Sequence, residues 1–256
     1  MTPAPEVPVL ETRGLRKAFG GLIATNDVSF RLPAGARHAL IGPNGAGKTT
    51  LVNLLTGVLQ PTDGRILLNG RDVTTLPSHR RVQLGLARTF QINQLFPDLT
   101  PLETLVLAVA QREGKATGWW RPVGRRGELL DEAGDLLERL GIAEERDQPV
   151  ATIAYGKQRL LEIAVALAAK PSVLLLDEPA AGVPEAERHQ ILDVVAALPD
   201  SVSLVLIEHD MQLVFRFAHT ISVLVNGGLF MEGPAAEVAR DPRVKQVYLG
   251  EEPVYG

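Results

Sequence analysis

The stretch Gly42-Pro43-Asn44-Gly45-Ala46-Gly47-Lys48-Thr49-Thr50 decides how this chain is read. It follows an apolar run, Ala39-Leu40-Ile41, and precedes a helix-like run, Leu51-Val52-Asn53-Leu54-Leu55. A strand feeding a glycine-rich loop that opens a helix is the setting that the spacing G-x-x-x-x-G-K-[ST] requires. The glycines let the loop curl so that successive backbone N–H groups turn inward. The helix N-terminus adds a partial positive charge, and Lys48 a mobile full one. Thr49 is placed to offer its hydroxyl to Mg²⁺, with Thr50 beside it near the inner phosphates. The stretch predicts binding of a nucleoside triphosphate.

Working outward, the 256 residues suffice for one domain plus a sub-domain, or two small ones. Charged residues make up 22% and hydrophobic ones 45%, an ordinary globular balance. The net charge of −4 argues against a nucleic-acid partner, although Arg121, Arg125 and Arg126 form a small basic patch. No cysteine occurs, which excludes disulfides, zinc thiolates and thiol catalysis. No apolar run is long enough to span a bilayer. Met1 to Pro8 is Pro-rich, has no signal-peptide pattern, and is expected to be a short disordered lead-in. A protein of this kind reaches a membrane by docking.

Along the chain, Val9 to Arg13 and Val28 to Leu32 alternate as strands do, with Lys17 to Gly21 read as a turn. Phe19 in that turn has two readings, a platform for an adenine ring or an ordinary packed aromatic. Thr56-Gly57 closes the phosphate-loop helix, Pro61 to Gly64 is a turn, and Arg65 to Leu68 is a strand ending at the turn Asn69-Gly70. Val82 to Phe90 leads up to Gln91. From about Pro97 to Lys170 the period becomes helical, with Leu102, Leu105, Val106 and Val109 on one face. Leu129, Leu130, Leu136, Leu137 and Leu140 share another. Gln111 to Gly127, rich in Gly, Arg and Trp, reads as a loop, with Trp119 and Trp120 available to fold against the helices. Tyr155-Gly156 opens a helix that ends at Lys170-Pro171. Val173 to Leu176 is a continuous apolar run, as in a strand covered on both faces of a parallel sheet. Ala186 to Leu198 is an amphipathic helix, and Ser203 to Ile207 is a second buried strand. Ile221 to Glu232 is a hairpin around Asn226-Gly227-Gly228, and a short helical tail begins at Glu237.

The chemistry concentrates where the buried strands end, which is where ligands bind in α/β sheets. Asp177 and Glu178 follow the first of these strands, and neighbouring carboxylates on an extended chain face opposite sides. Asp177 is assigned to the Mg²⁺ shell and Glu178 to orienting and activating water. His209, at the end of the next strand, is a hydrogen-bond donor to the γ-phosphate, a support for Glu178, or a structural residue. Gln91 carries an amide that both donates and accepts. It suits a contact to metal or water at the border with the helical block.

Taken together, these residues resemble the ATP-binding subunits of ABC transporters, in the same order and over nearly the whole chain. GLARTFQ (Gly85 to Gln91), IAYGKQRLLEIAVALA (Ile153 to Ala168), LDEPAAG (Leu176 to Gly182), IEHDM (Ile207 to Met211) and YLGE (Tyr248 to Glu251) look like the LivG-like ATPases of branched-chain amino acid importers. The resemblance implies an α/β fold: a RecA-like P-loop ATPase core (9–91 and 171–256) with an antiparallel β portion, and an inserted α-helical sub-domain (92–170). It implies ATP and Mg²⁺ as ligands, with Gly42 to Thr50 and Phe19 on the nucleotide. Thr49, Gln91 and Asp177 fall on the metal, and Glu178, His209, Gln91 and Lys48 at the chemistry. It also implies a head-to-tail dimer in which the signature Ala154-Tyr155-Gly156-Lys157 closes over the partner's γ-phosphate. The helix start at Gly156 agrees, because a second anion site in one chain has a use only across two chains. Further implied partners are transmembrane permease subunits, docked beside Gln91, a second ATP-binding subunit (identical or paralogous) and, indirectly, an extracytoplasmic substrate-binding protein. No nucleic acid is implied. The implied location is peripheral, on the cytoplasmic face of the cell membrane.

Three positions depart from the pattern. Ala154 stands where serine is usual, which removes a hydroxyl worth about 1.5–3 kcal/mol toward a charged group. The loop Ala180-Ala181-Gly182-Val183-Pro184 lacks the usual aspartate and is one residue short, and Lys157 replaces a common Gln or acidic residue. Competing readings are an exporter ATPase and a non-transport ABC ATPase acting on nucleic acid or ribosomes. A small-molecule P-loop kinase is a third, and it leaves the signature helix without a purpose. The importer is favoured by EHDM and YLGE. The transported cargo is not written in this chain.

Overall fold

The computed structural model describes residues 7–89, 95–114 and 124–249, apart from the side chains of 124–126, 212, 248 and 249. The elements are β1 (Leu10–Phe19), β2 (Leu22–Val28), β3 (Arg31–Leu32), β4 (Arg37–Ile41), α1 (Lys48–Leu55), β5 (Asp63–Leu68), β6 (Arg71–Asp72), α2 (Ser78–Gln83) and β7 (Leu86–Arg88). They continue with α3 (Pro101–Arg112), α4 (Gly124–Arg139), α5 (Tyr155–Ala168), β8 (Val173–Asp177), α6 (Glu185–Ala196) and β9 (Ser203–Ile207). The last are α7 (Met211–Phe217), β10 (Thr220–Val225), β11 (Gly228–Pro234), α8 (Ala235–Val238) and α9 (Pro242–Leu249). They gather into two compact units, one of residues 1–86, 172–178 and 199–256, the other of 87–171 and 179–198.

The first unit is built from two sheets. One has the order β2-β1-β5-β6, with β3 also on β1, and its pairings are antiparallel. The other runs β11-β10-β4-β9-β8, with Leu86 of β7 at its edge; β10, β4, β9 and β8 pair parallel and only β11 is antiparallel. β4, β8 and β9 are buried along their whole length, which explains the apolar runs Ala39-Leu40-Ile41, Val173 to Leu176 and Leu204 to Ile207 within them. Leu10, Phe30, Leu51, Leu55, Ile66 and Val205 share one core contributed by both sheets and α1. Inside it, His38 lies 2.8 Å from Ser222 Oγ, which donates to Glu232 at 2.5 Å, and Phe30 meets the imidazole edge-on. Burial pushes the His38 pKa down to about 4.

Several elements, β2, β6, α2 and α7 among them, have no counterpart in the sequence pattern. β2 occupies residues to which the sequence assigns no element before Val28, because its exposed Leu22 and Ile23 break the in/out alternation. β1 likewise runs through Phe19 rather than turning at Lys17. α2 has no apolar stripe; the residue it buries is Arg81, which is fully enclosed. The Arg81 guanidinium donates to the carbonyls of Leu54 (2.6 Å) and Leu55 (2.7 Å) at the end of α1, and to Thr74 and Leu76. A cation there adds to the bonding of the last-turn carbonyls, of which Leu54 O also accepts from the Gly57 N–H at 3.2 Å.

The second unit holds α3 to α6. Thr100 and Glu103 close a capping box on α3 with Pro101 in its first turn. At the other end of α3, Arg112 makes a two-pronged pair with Glu132 of α4 (2.6 and 2.8 Å) and donates to Ala168 O at the end of α5. This pairing holds the Glu132 carboxyl down at about 2. Leu136, Leu137 and Leu140 are buried as expected, whereas Leu130 is exposed. Trp119, Trp120 and Arg121 lie outside the described residues.

Candidate active site

The phosphate loop leaves β4 at Gly42 and enters α1 at Lys48. Gly45 and Gly47 have φ of 80° and 95°, backbone angles that side chains resist. Gly47 caps α1 without any side-chain hydrogen bond, so the N–H groups of the first turn point into the loop. A methyl group on Gly42 would come within 2.3 Å of Leu224 O, and one on Gly47 within 2.4 Å of Ala24 O. Both glycines are demanded by backbone packed behind the loop. Lys48 Nζ lies against the loop, donating to Gly42 O (2.6 Å) and Pro43 O (3.0 Å). Burial pushes its pKa down, and the carboxylates of Glu178 and Asp177 pull it back up. Asp177 at the end of β8 and Glu178 directly after it thus act on this lysine electrostatically.

Asp177 ends β8 and is buried. Glu178 is not the next residue of an extended chain, which corrects the simple opposite-faces picture. Its amide still bonds Ile207 O at 2.9 Å, but its φ is 46°, so the backbone swings out of the strand at this residue. A left-handed non-glycine residue costs roughly 1–3 kcal/mol and is tolerated where surrounding structure imposes it. His209, following β9, brings Nδ1 to 3.6 Å from Glu178 Oε1 and 3.8 Å from Glu208 Oε2.

Glu208 is the site residue that the sequence reading passes over. Its side chain is 3% exposed, it accepts the His209 N–H at 3.2 Å, and Oε1 has no hydrogen-bond partner among the described residues. Burial raises its pKa. The only sign of it in the sequence is a charged residue directly after a buried strand.

Phe19 ends β1 and is 46% exposed, with Lys17 Nζ 5.1 Å from the ring centre. It is not the packed core aromatic of the second reading. Gln91 lies outside the described residues. In the second unit, Ala154 caps α5 without a side-chain hydrogen bond, and Tyr155 is exposed. Lys157 turns away from the helix start to Gly141 O (2.6 Å) and Glu145 (3.7 Å), so its charge serves the helical packing. The Glu187 side chain crosses over Gly156.

The family model described as "ABC transporter" matches residues 25–181. The chain belongs to the ABC transporter family. A second model, "Branched-chain amino acid ATP-binding cassette transporter", matches residues 231–254. The cassette is 41% identical over 253 residues to the high-affinity branched-chain amino acid transport ATP-binding protein LivG of Salmonella typhimurium, covering 95% of this chain and 98% of that one. It is 39% identical to the corresponding protein BraF of Pseudomonas aeruginosa over the same length. Among solved structures, the ADP conformation of an ATP-binding cassette of an ABC transporter superposes with a TM-score of 0.84 at 30% identity, over 96% of this chain and 100% of that chain. The nucleotide-binding ATPase assignment and the P-loop α/β fold stand on this agreement. Among the described residues no helix is long and apolar enough to cross a membrane.

Proposed function

We propose that this cassette is the ATP-hydrolysing subunit of an importer for branched-chain or related amino acids, peripheral on the cytoplasmic face of the membrane and docked on separate permease subunits. The relatives named for that transport, aligned over almost their full length, support the cargo class. The observation that carries the chemistry is the convergence of Lys48, Asp177, Glu178 and His209 around one phosphate loop.

The loop amides and Lys48 hold the triphosphate, and exposed Phe19 offers its face to the base. Thr49 and Asp177 are hard oxygen donors of the kind Mg²⁺ takes, with Gln91 as a further one, and a bound Mg²⁺ supplies charge neutralisation on the phosphates. Glu178, turned out of its strand, orients the attacking water and accepts its proton. His209 steadies Glu178 and donates toward the γ-phosphate. The start of α5, Ala154 to Lys157, closes over the nucleotide of a second ATP-binding subunit, identical or paralogous. The resulting motion passes to the permease, which an extracytoplasmic binding protein loads.

Glu178→Gln tests this reading. It should bind Mg·ATP, lose roughly a hundredfold or more of its hydrolysis rate, and accumulate as a closed dimer in light scattering. Undiminished turnover sinks the assignment of Glu178.

A further inference from the structure

The tip of the β10–β11 hairpin sits directly behind the phosphate loop, and its turn is Asn226-Gly227, with φ of 48° and 78°. Gly227 makes two backbone bonds in opposite directions. Its N–H donates to Ala46 O of the phosphate loop at 3.0 Å, and its carbonyl accepts from Asn26 N–H of β2 at 2.8 Å. The fit leaves no room for a side chain: a Cβ on Gly227 would lie 2.9 Å from Ala24 O and 3.3 Å from Thr25 N. Gly47 of the loop faces the same point, since its own Cβ position is 2.4 Å from Ala24 O and 3.3 Å from Gly227 Cα. β2 then pairs with β1 through Thr25↔Lys17, Ile23↔Ala18 and Leu22↔Phe19. One residue therefore stands between the loop proposed to take phosphates and the strand pair that ends in the aromatic proposed to take the base.

We propose that Gly227 is a positioning residue for nucleotide binding, setting the phosphate loop in register with the strand pair that carries Phe19. Gly227 touches no nucleotide. It works by fixing Ala46 to Asn26 at a spacing only a bare Cα permits. The inference rests on the nucleotide-site reading above. Its neighbour supplies the control, because a Cβ on Gly228 would meet nothing closer than 3.7 Å.

The test is titration of the full chain with Mg·ATP and with Mg·tripolyphosphate, which has the phosphates without the base. Wild type should hold Mg·ATP more tightly than tripolyphosphate. Gly227→Asn, which keeps a residue type tolerant of left-handed backbone but adds the crowded Cβ, should weaken Mg·ATP about tenfold while tripolyphosphate changes much less. Gly228→Ala should match wild type for both ligands. If Gly227→Asn melts below the assay temperature, Gly227→Ala with its smaller intrusion is read the same way. Equal affinity of a Gly227 variant and wild type for Mg·ATP overturns the proposal, and so does a loss shared in proportion by both ligands. A wild type that gains nothing from the base overturns the Phe19 reading itself, and that result is visible before any variant is compared.

Discussion

Among the α-helices of the described residues that begin without a side-chain cap, α1 and α5 begin very differently. At α1 the capping residue is Gly47 in a left-handed turn, Lys48 follows at once, and backbone from β2 and β10 is packed behind the loop. At α5 the capping residue is Ala154, Lys157 is drawn off to Gly141 and Glu145, and Gly156 lies under a movable carboxylate. The first start has its own cation, Lys48, lying against the loop. The second has amides but sends Lys157 elsewhere, which suits a surface finished by something outside the chain.

The contrast can be broken most directly at its glycines. Gly47→Ala pushes a methyl group into the Ala24 carbonyl at a φ of 95°, and neither the backbone nor the angle yields cheaply. A loss of about 3–5 kcal/mol in unfolding free energy is expected, with nucleotide binding abolished. Acid offers the next largest handle, because it separates the two units. His38 has a folded pKa of about 4 against an ordinary 6.5, so the unfolded chain takes up the proton first. Stability should fall by up to about 3 kcal/mol between pH 6.5 and 4. Glu132 in the other unit, folded pKa about 2, contributes stability above its ordinary 4.5 and loses it only as pH drops from there toward 2. Denaturant titrations at pH 6.5 and 4.5 should show the decline in wild type and a flatter response in His38→Gln. Hydrogen exchange should report opening in β4 and β10 before α3 to α5.

Smaller effects sharpen the comparison from the α5 side. Ala154→Ser supplies the missing cap and should raise stability by about 1 kcal/mol in thermal or denaturant unfolding. Gly156→Ala should stay within about 1 kcal/mol of wild type, because the gain in helix propensity offsets the displacement of Glu187, a flexible side chain. A collapse of the fold in that variant would show that Gly156 is as tightly walled as Gly47.

How much of this was legible beforehand follows physical lines. The phosphate loop, the all-buried strands β8 and β9 and the hairpin at Asn226-Gly227 announce themselves because a spacing, an apolar run or a turn pair each encodes local geometry. Phe19 was ambiguous because exposure is a tertiary property; the structure places it at a strand end in solvent. Arg81 was invisible as a buried charge, since nothing in its neighbours marks it for burial, and Glu208 was marked only by its place directly after a buried strand. The swing of the backbone at Glu178, with φ of 46°, is not encoded by the residue type, since glutamate has no preference for left-handed backbone.

The guanidinium of Arg81 bears on how the molecule meets its ligand. With its last-turn carbonyls gripped by that cation, and Thr56 and Gly57 sealing the same end, the eight-residue helix α1 is anchored opposite its anion-receiving end. An arriving triphosphate meets amides already in place, so ordering entropy was spent during folding and little of the encounter energy is diverted to shaping the receptor.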